Sequence, residues 1–295
     1  MKNPKVLSLF DGIAGAAVAL QRLGVTPSCY YASEVNPHAI RIAQRNFPKI
    51  LELGDINKLN IAGEYFDLVV FGSPCTDLSI GRKNRESLAG KSSSLFYRAV
   101  EILQEVQPKY FLMENVASMS QASQKEISHI LGVEPILINS VNFTGQNRQR
   151  LYWCNWKVTE TLPQPPERWH RNVLLPIDQA FHPTLQLSQK AIDYMNRQVS
   201  GGRNHWDFGH HSDTNNKASS CVIANFKKGV PYNVLLDCRA KALMIRKFHP
   251  TECELLQGFP PNYTKGIPDT HRYDVLGNSF TVDVMEYLLH PLFKT

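Results

Sequence analysis

Three side chains in this 295-residue chain are of types that can share one piece of chemistry: Cys75, Glu114 and Arg150. Cys75 stands in Phe71-Gly72-Ser73-Pro74-Cys75-Thr76-Asp77, behind the apolar run 66–71, which reads as a buried strand. Gly72, Ser73 and Pro74 end that strand. Cys75 is therefore expected just past its carboxyl end, where open α/β sheets receive ligands. The Pro74 ring narrows the ways the backbone can carry the thiol. A thiolate is a strong nucleophile near neutral pH; the competing reading is a small buried hydrophobe. Glu114 follows a second apolar run, 109–113, and is expected at the same sheet edge. Arg150 ends Gln146-Asn147-Arg148-Gln149-Arg150, where alternation places Gln146, Arg148 and Arg150 on one face of an extended segment. That face either lines a pocket or is the wet side of an edge strand.

The elements that must position these groups read as an α/β alternation. A strand over 5–10 leads into Asp11-Gly12-Ile13-Ala14-Gly15, then a helix over 16–23 closed by Gly24. Strand, glycine turn and helix make a nucleotide-binding geometry, though not the dinucleotide pattern G-x-G-x-x-G. A second strand, 28–33, ends at Glu34, 22 residues after Gly12. An acid there is placed to accept hydrogen bonds from ribose hydroxyls, or it is a surface-turn carboxylate beside a helix end. Asn36-Pro37 opens the next helix as N-cap and first residue. In Gly54-Asp55-Ile56, Asp55 suits an adenine amino group and Ile56 the ring. Residues 80–94, with Arg82, Lys83, Arg85 and Lys91, read as a loop able to meet phosphates. Helices are expected over 95–106 and 123–131, and a strand over 135–143.

Composition excludes several classes. With 43% hydrophobic and 20% charged residues the chain is globular rather than disordered. No apolar run approaches the roughly 20 residues of a membrane span, and the N-terminus lacks a signal-peptide core, so a cytoplasmic protein is expected. The six cysteines contain no C-x-x-C pair, which argues against zinc. His205, His210 and His211 read as loop polarity or phosphate contacts rather than metal ligands. Residues 157–247 hold thirteen Lys and Arg against seven Asp and Glu, while 248–295 hold three against six. The basic excess of the middle segment favours a polyanionic partner such as nucleic acid.

Taken in order, Phe10-Asp11-Gly12-Ile13-Ala14-Gly15, Ser73-Pro74-Cys75, Glu114-Asn115-Val116 and Gln146-x-Arg148-x-Arg150 closely resemble the motifs of DNA (cytosine-5)-methyltransferases. The stretches 251–260 and Gly277-Asn278-Ser279-Phe280-Thr281-Val282 are similar to the family's last two motifs. The opening looks most like the animal de novo subgroup, and a compact bacterial or phage enzyme would look the same. Asp11 stands where many relatives carry a small residue, and Thr76-Asp77 where many carry glutamine.

The resemblance implies a Rossmann-like methyltransferase fold with a small target-recognition region. It divides the chain into a catalytic domain (1–156), a recognition region (157–245) and a C-terminal return (246–295). It implies S-adenosylmethionine bound by Phe10, Asp11, Gly12, Ile13, Gly15, Glu34, Val35, Asp55, Ile56, Pro74, Leu95, Asn278 and Ser279. Catalysis falls to Cys75 as nucleophile at cytosine carbon 6, Glu114 at the pyrimidine edge, and Arg150 with Arg148 at the carbonyl oxygen, without metal. The implied partner is double-stranded DNA near the nucleoid, with a monomer among the open oligomeric states. In the recognition region, Gly201-Gly202, the run from His205 and Lys227-Lys228-Gly229 suggest base and phosphate contacts, while Trp206 and Phe208 are as well explained as a small local core. A C-terminal helix is expected over 282–289. The alternatives are transfer RNA as substrate, whose branch typically carries a Cys-Phe-Thr absent here, and a catalytically silent DNA-binding relative. A nicotinamide enzyme is disfavoured by the missing glycine pattern.

Overall fold

The computed structural model describes residues 1–73, 91–158, 161–180, 182–199 and 201–294. Pro74, Cys75 and most of the 80–94 segment thus lie outside the described residues. The chain divides into two units: residues 1–138, 149–160 and 284–295, and residues 139–148 with 161–283.

The first unit is built on a seven-stranded sheet. Its strands are β1 (Lys5–Leu9), β2 (Cys29–Ser33), β3 (Leu51–Glu52), β4 (Leu68–Phe71), β5 (Tyr110–Val116), β6 (Ile136–Asn139) and β7 (Gln149–Cys154). Their spatial order is β3-β2-β1-β4-β5-β7-β6. Strands β1 to β5 pair in parallel, and β7 runs antiparallel to β5. The order reverses at β1, so the β1 and β4 carboxyl ends flank the crevice where such sheets bind ligands. All four β4 residues are buried, as expected of a central parallel strand covered on both faces. Leu7, Leu9, Val69, Phe71, Phe96, Phe111, Met113 and Trp153 belong to one buried cluster. This is the Rossmann-like α/β architecture the sequence implies.

The helices follow their local signals. In α1 (Gly15–Arg22), residues 15–20 are all buried, so it is a core helix rather than a surface one. Asn36 caps α2 (Pro37–Asn46) by accepting from the His38 amide, with Pro37 at the start. Ser120 caps α4 (Gln121–Leu131), which ends at left-handed Gly132. Two expectations fail. α3 spans Lys91–Val106, so the segment read as loop turns helical at Lys91, four residues before Leu95. The 135–143 strand stops at Asn139, and α5 (Val141–Thr144) follows. Asn139 Oδ1 accepts from the Val141 amide, which turns the apolar run out of the sheet.

The second unit contains short helices α6 (His170–Val173), α7 (Ile177–Ala180) and α8 (Gln189–Asn196). A three-stranded sheet joins β8 (Ser212–Asp213), β9 (Leu235–Asp237) and β10 (Met244–Arg246) in the order β10-β9-β8. Helices α9 (Pro250–Leu256) and α10 (Asp269–Gly277) follow. The last helix, α11 (Val282–Phe293), returns the chain to the first unit and runs four residues further than expected. The stretch similar to a family motif is an anchor here. Glu252 closes the α9 capping box with His249 and accepts both Arg246 terminal nitrogens at 2.8 Å. Arg246 Nε and Nη2 also reach Asp237 Oδ2 at 3.0 Å. Arg246, Asp237 and Glu252 are all fully buried. Such charges survive burial because each finds opposite charge and hydrogen bonds.

Among the described residues no helix is long and apolar enough to cross a membrane. No group of three or more His, Cys, Asp or Glu there could hold a metal ion.

Candidate active site

Register assembles the first half of the site. Phe71, the last residue of β4, pairs with Met113 of β5. Continuing in parallel brings Ser73 beside Asn115, and Asn115 Nδ2 donates to Ser73 Oγ at 3.1 Å. Both side chains are buried, at 1% and 6% exposure. The Asn115 amide oxygen accepts from the Val116 amide at 2.8 Å, which fixes its orientation. The residue two before Cys75 is thus tied to the residue after Glu114.

Glu114 does not stand beyond a strand end, as the sequence suggested. β5 continues to Val116 because antiparallel β7 supplies partners through that point. Glu114 lies opposite Tyr152, and Arg150 lies opposite Val116. Glu114 and Arg150 are therefore diagonal neighbours on one face, within reach of long side chains. Arg150 Nε meets Glu114 Oε1 at 2.9 Å, with side-chain exposures of 15% and 13%. Arg150 Nη1 donates to the Gln149 carbonyl at 2.8 Å, which holds the guanidinium plane.

The second half of the site is the turn after β1. Phe10, Gly12 and Ala14 all have positive φ, at 57°, 62° and 61°. The non-glycine members hold an unfavourable conformation. Hydrogen bonds enforce it: the Asp11 amide donates to Ser33 O at 3.1 Å, and the Gly12 amide to Glu34 Oε2 at 2.8 Å. Glu34 Oε1 accepts from the Val35 and Asn36 amides at 2.8 and 2.9 Å. Glu34 thus bridges the β1 and β2 loops and keeps spare lone pairs, since each carboxylate oxygen offers about two. Among the described residues, nothing beyond its chain neighbours lies within 4 Å of where a Gly12 Cβ would stand. The turn is an open cradle, and its residues fit a nucleoside-bearing ligand.

Beneath the cradle lies an acidic pair. Asp11, only 3% exposed, accepts from Tyr30 Oη at 2.6 Å, and its Oδ2 has no partner. Burial, with a contribution from the Glu34 charge and against the hydrogen bond from Tyr30, pushes its carboxyl up to about 6. Both Glu52 carboxylate oxygens are buried without a partner. Burial, with the charges of Asp11 and Glu34, pushes Glu52 up to about 7. Asp55 caps a 3-10 turn, Ile56–Lys58, by accepting from Asn57 at 3.0 Å. Ile13 and Ile56 are buried, Phe10 and Leu95 are half-buried against the core, and Val35 is 68% exposed. A cavity of about 480 Å³ lined by Gln21, Thr26, Cys29, Asn46 and Lys49 opens at the amino end of β2. That is the opposite strand end from Glu34, and it takes no part in the site.

A family profile described as C-5 cytosine-specific DNA methylase matches residues 4–173 and 158–294, nearly the whole chain. The chain belongs to this family. It is a DNA cytosine-5 methyltransferase, an enzyme of an S-adenosylmethionine-dependent class. The type II methyltransferase M.HpaII of Haemophilus parainfluenzae is 27% identical over 317 residues, 95% of this chain and 86% of that protein. M.DsaV of Dactylococcopsis salina is 26% identical over 99% of this chain and 87% of its own. The structure of Entamoeba histolytica methyltransferase EhMeth superposes with a TM-score of 0.75 at 17% identity, covering 99% of this chain and 98% of that one. At that identity the likeness bears on the fold.

In this cytosine-5 methyltransferase, Arg148 departs from its expected place beside Arg150. It lies in the second unit and is 3% exposed. Its guanidinium donates to the carbonyls of Val222 (2.8 Å), Gly277 (3.2 Å) and Ser279 (2.9 Å). Gln146, fully buried, donates to Leu256 O at 2.7 Å and accepts from the Val222 amide at 2.8 Å. The expected alternation breaks because the Arg148 amide donates to Gln146 O at 2.8 Å, a tight turn just before β7. Gln146 and Arg148 hold backbone within the second unit; Arg150 alone of the three is on the strand. Ser279, at 5% exposure, donates to Leu276 O at 2.9 Å, while Asn278 is exposed. Sequence reasoning missed Asn115 and Ser73 as working parts. Their signal was present in Glu-Asn-Val and Ser-Pro-Cys, but their mutual contact appears only with the sheet register.

Proposed function

We propose that the methylase attacks carbon 6 of a cytosine rotated out of duplex DNA with the Cys75 thiolate. The observation that carries this reading is the Asn115–Ser73 hydrogen bond beside the Glu114–Arg150 pair. It fastens Ser73, two residues before Cys75, to β5, which bears the carboxylate and pairs with the strand bearing the guanidinium.

S-adenosylmethionine supplies an electrophilic methyl group. The Phe10–Gly15 turn and Glu34 would hold its nucleoside end, with Glu34 oxygens accepting from ribose hydroxyls. Asp55, Ile56, Val35, Pro74, Leu95, Asn278 and Ser279 complete the proposed set. Asp11 and Ile13 support it from beneath, since their side chains are buried.

Cytosine carbon 5 is a poor nucleophile. Addition of the Cys75 sulfur to carbon 6 turns the ring into an enamine and makes carbon 5 nucleophilic. Glu114 meets ring nitrogen 3 and the exocyclic amine, giving up part of its bond to Arg150. Arg150 then faces the ring carbonyl oxygen and stabilises charge that gathers there. Once carbon 5 has taken the methyl group, with S-adenosylhomocysteine as the departing thioether, loss of the carbon-5 proton to solvent would expel the sulfur and restore the thiolate. Rotating the base from the stack costs a few kcal/mol, offset by contacts elsewhere on the protein. Arg148 acts as a positioning residue for the second unit. A DNA substrate and the absence of a membrane-crossing helix among the described residues fit a protein working beside the chromosome.

The test is incubation with tritiated S-adenosylmethionine and either duplex DNA or transfer RNA. Label is expected in DNA and lost in Cys75→Ser. Equal label from both proteins would remove Cys75 from the mechanism, and label confined to transfer RNA would overturn the substrate.

A further inference from the structure

The segment after α8 carries surface geometry that the reaction at Cys75 does not use. Gly201 and Gly202, with φ of 62° and 76°, form a turn closed by the Val199 amide donating to Arg203 O at 2.8 Å. Asn204 then caps a 3-10 turn, His205–Phe208, whose Asp207 closes the capping box at 2.7 Å. Arg203 is tethered to this frame at two points. Nη2 donates to the Asp207 carbonyl at 3.1 Å, and the guanidinium lies 4.7 Å from the centroid of the Phe208 ring. Phe208 is 40% exposed, so it is no core residue. His210 lies nearly parallel to it, at 17° and 6.3 Å, and Tyr232 stands 5.4 Å from His210. The result is an exposed row of Arg203, Phe208 and His210, with half-buried Tyr232 tilted against its end.

Two facts identify what this row meets. The segment 157–247 holds thirteen basic residues against seven acidic ones, and Arg197 and Arg203 are exposed. The chain is a DNA methyltransferase, so a duplex must lie against it. A phosphate contact asks only for charge and works as well with a mobile lysine. A guanidinium anchored by a carbonyl and packed on a ring has part of its ordering cost prepaid. It retains four of its five N–H donors, enough for the bidentate contact to guanine O6 and N7 in the major groove. The apolar ring beside it suits the 5-methyl group of thymine. Their 4.7 Å separation is on the scale of the roughly 3.4 Å between neighbouring base pairs.

We propose that Arg203 and Phe208 are specificity-determining residues that read a guanine and an adjacent thymine flanking the methylated cytosine. The proposal rests on the DNA-methylating activity, and the experiment separates the two. A pooled duplex library with randomised flanks is methylated by the wild-type protein and read by bisulfite sequencing. Absence of any methylated cytosine would fail the activity itself. Given methylation, a guanine preference is expected at one flanking position and a thymine preference next to it. Arg203→Ala should lower the guanine preference about 10-fold or more, while sites with other bases there change by less than about threefold. Arg203→Lys, which keeps the charge but not the fork, should not restore it. Phe208→Ala should weaken the thymine preference, and Phe208→Leu should retain part of it. A uniform slowing at all sites that Arg203→Lys rescues would make Arg203 a phosphate contact and overturn the proposal. So would a wild-type library without guanine preference, or an unchanged preference in Arg203→Ala.

Discussion

The substitution Asp11→Asn should change how stability depends on pH, by an amount the structure sets. Asp11 lies beneath the Phe10–Ala14 turn, 3% exposed, with Oδ2 unpaired. Its carboxyl rises from 3.8 to about 6 on folding, chiefly through burial. Between those values the folded protein holds the proton more tightly than the unfolded chain. The stabilising effect of that proton is therefore complete below about pH 4 and is lost as pH climbs through about 6. The rise corresponds to about 3 kcal/mol at 1.36 kcal/mol for each tenfold step. An asparagine side chain cannot ionise. It keeps an oxygen for Tyr30 Oη, but its new N–H groups need acceptors, a cost of about 1–3 kcal/mol that does not vary with pH. The informative quantity is the difference between variant and wild type, followed by urea unfolding from pH 4.5 to 8. It should move in favour of the variant by about 2 kcal/mol across that range, whatever its starting value. Glu52, also raised by the Asp11 charge, loses part of its own shift in the variant and adds in the same direction. Parallel curves, within about 0.5 kcal/mol, would show that Asp11 is not a buried, strained carboxylate.

The other tests separate chemistry from scaffolding. Asn115→Ala frees Ser73 and orphans the buried Val116 amide; kcat should fall about 100-fold through misplaced Cys75, with S-adenosylmethionine affinity within about twofold by calorimetry. Arg150→Ala should lower kcat and leave the melting curve near wild type, whereas Arg148→Ala, which strands three buried carbonyls, should cost about 3–5 kcal/mol in urea unfolding. Glu252→Gln weakens the partner of a fully buried Arg246, and about 3 kcal/mol should disappear from the same measurement. DNA affinity should fall steeply as salt rises, with a logarithmic slope of several units if the basic middle segment contacts phosphates; a flat response in a filter-binding titration would exclude that contact.

Much of this enzyme was written in local sequence. The alternation of short apolar runs with helical stretches specified the α/β class. Asn36-Pro37 marked a helix start because an N-cap acceptor and a proline act within one turn. Gly12 marked the turn because a residue without Cβ takes positive φ at no steric cost. The order of the motifs named the reaction. Tertiary structure decided the rest. Glu114 pairs with Arg150 because β7 runs antiparallel to β5, and strand direction is not encoded in either strand. Asn115 reaches Ser73 only after β4 and β5 settle their register. Arg148 looked equivalent to Arg150 two residues away, yet a single backbone hydrogen bond to Gln146 O turns it toward Val222, Gly277 and Ser279. Periodicity and capping act over a few residues and can be read from them. Partners separated by forty or a hundred residues are chosen by burial and hydrogen-bond satisfaction in the folded chain, and these exist only once it has folded.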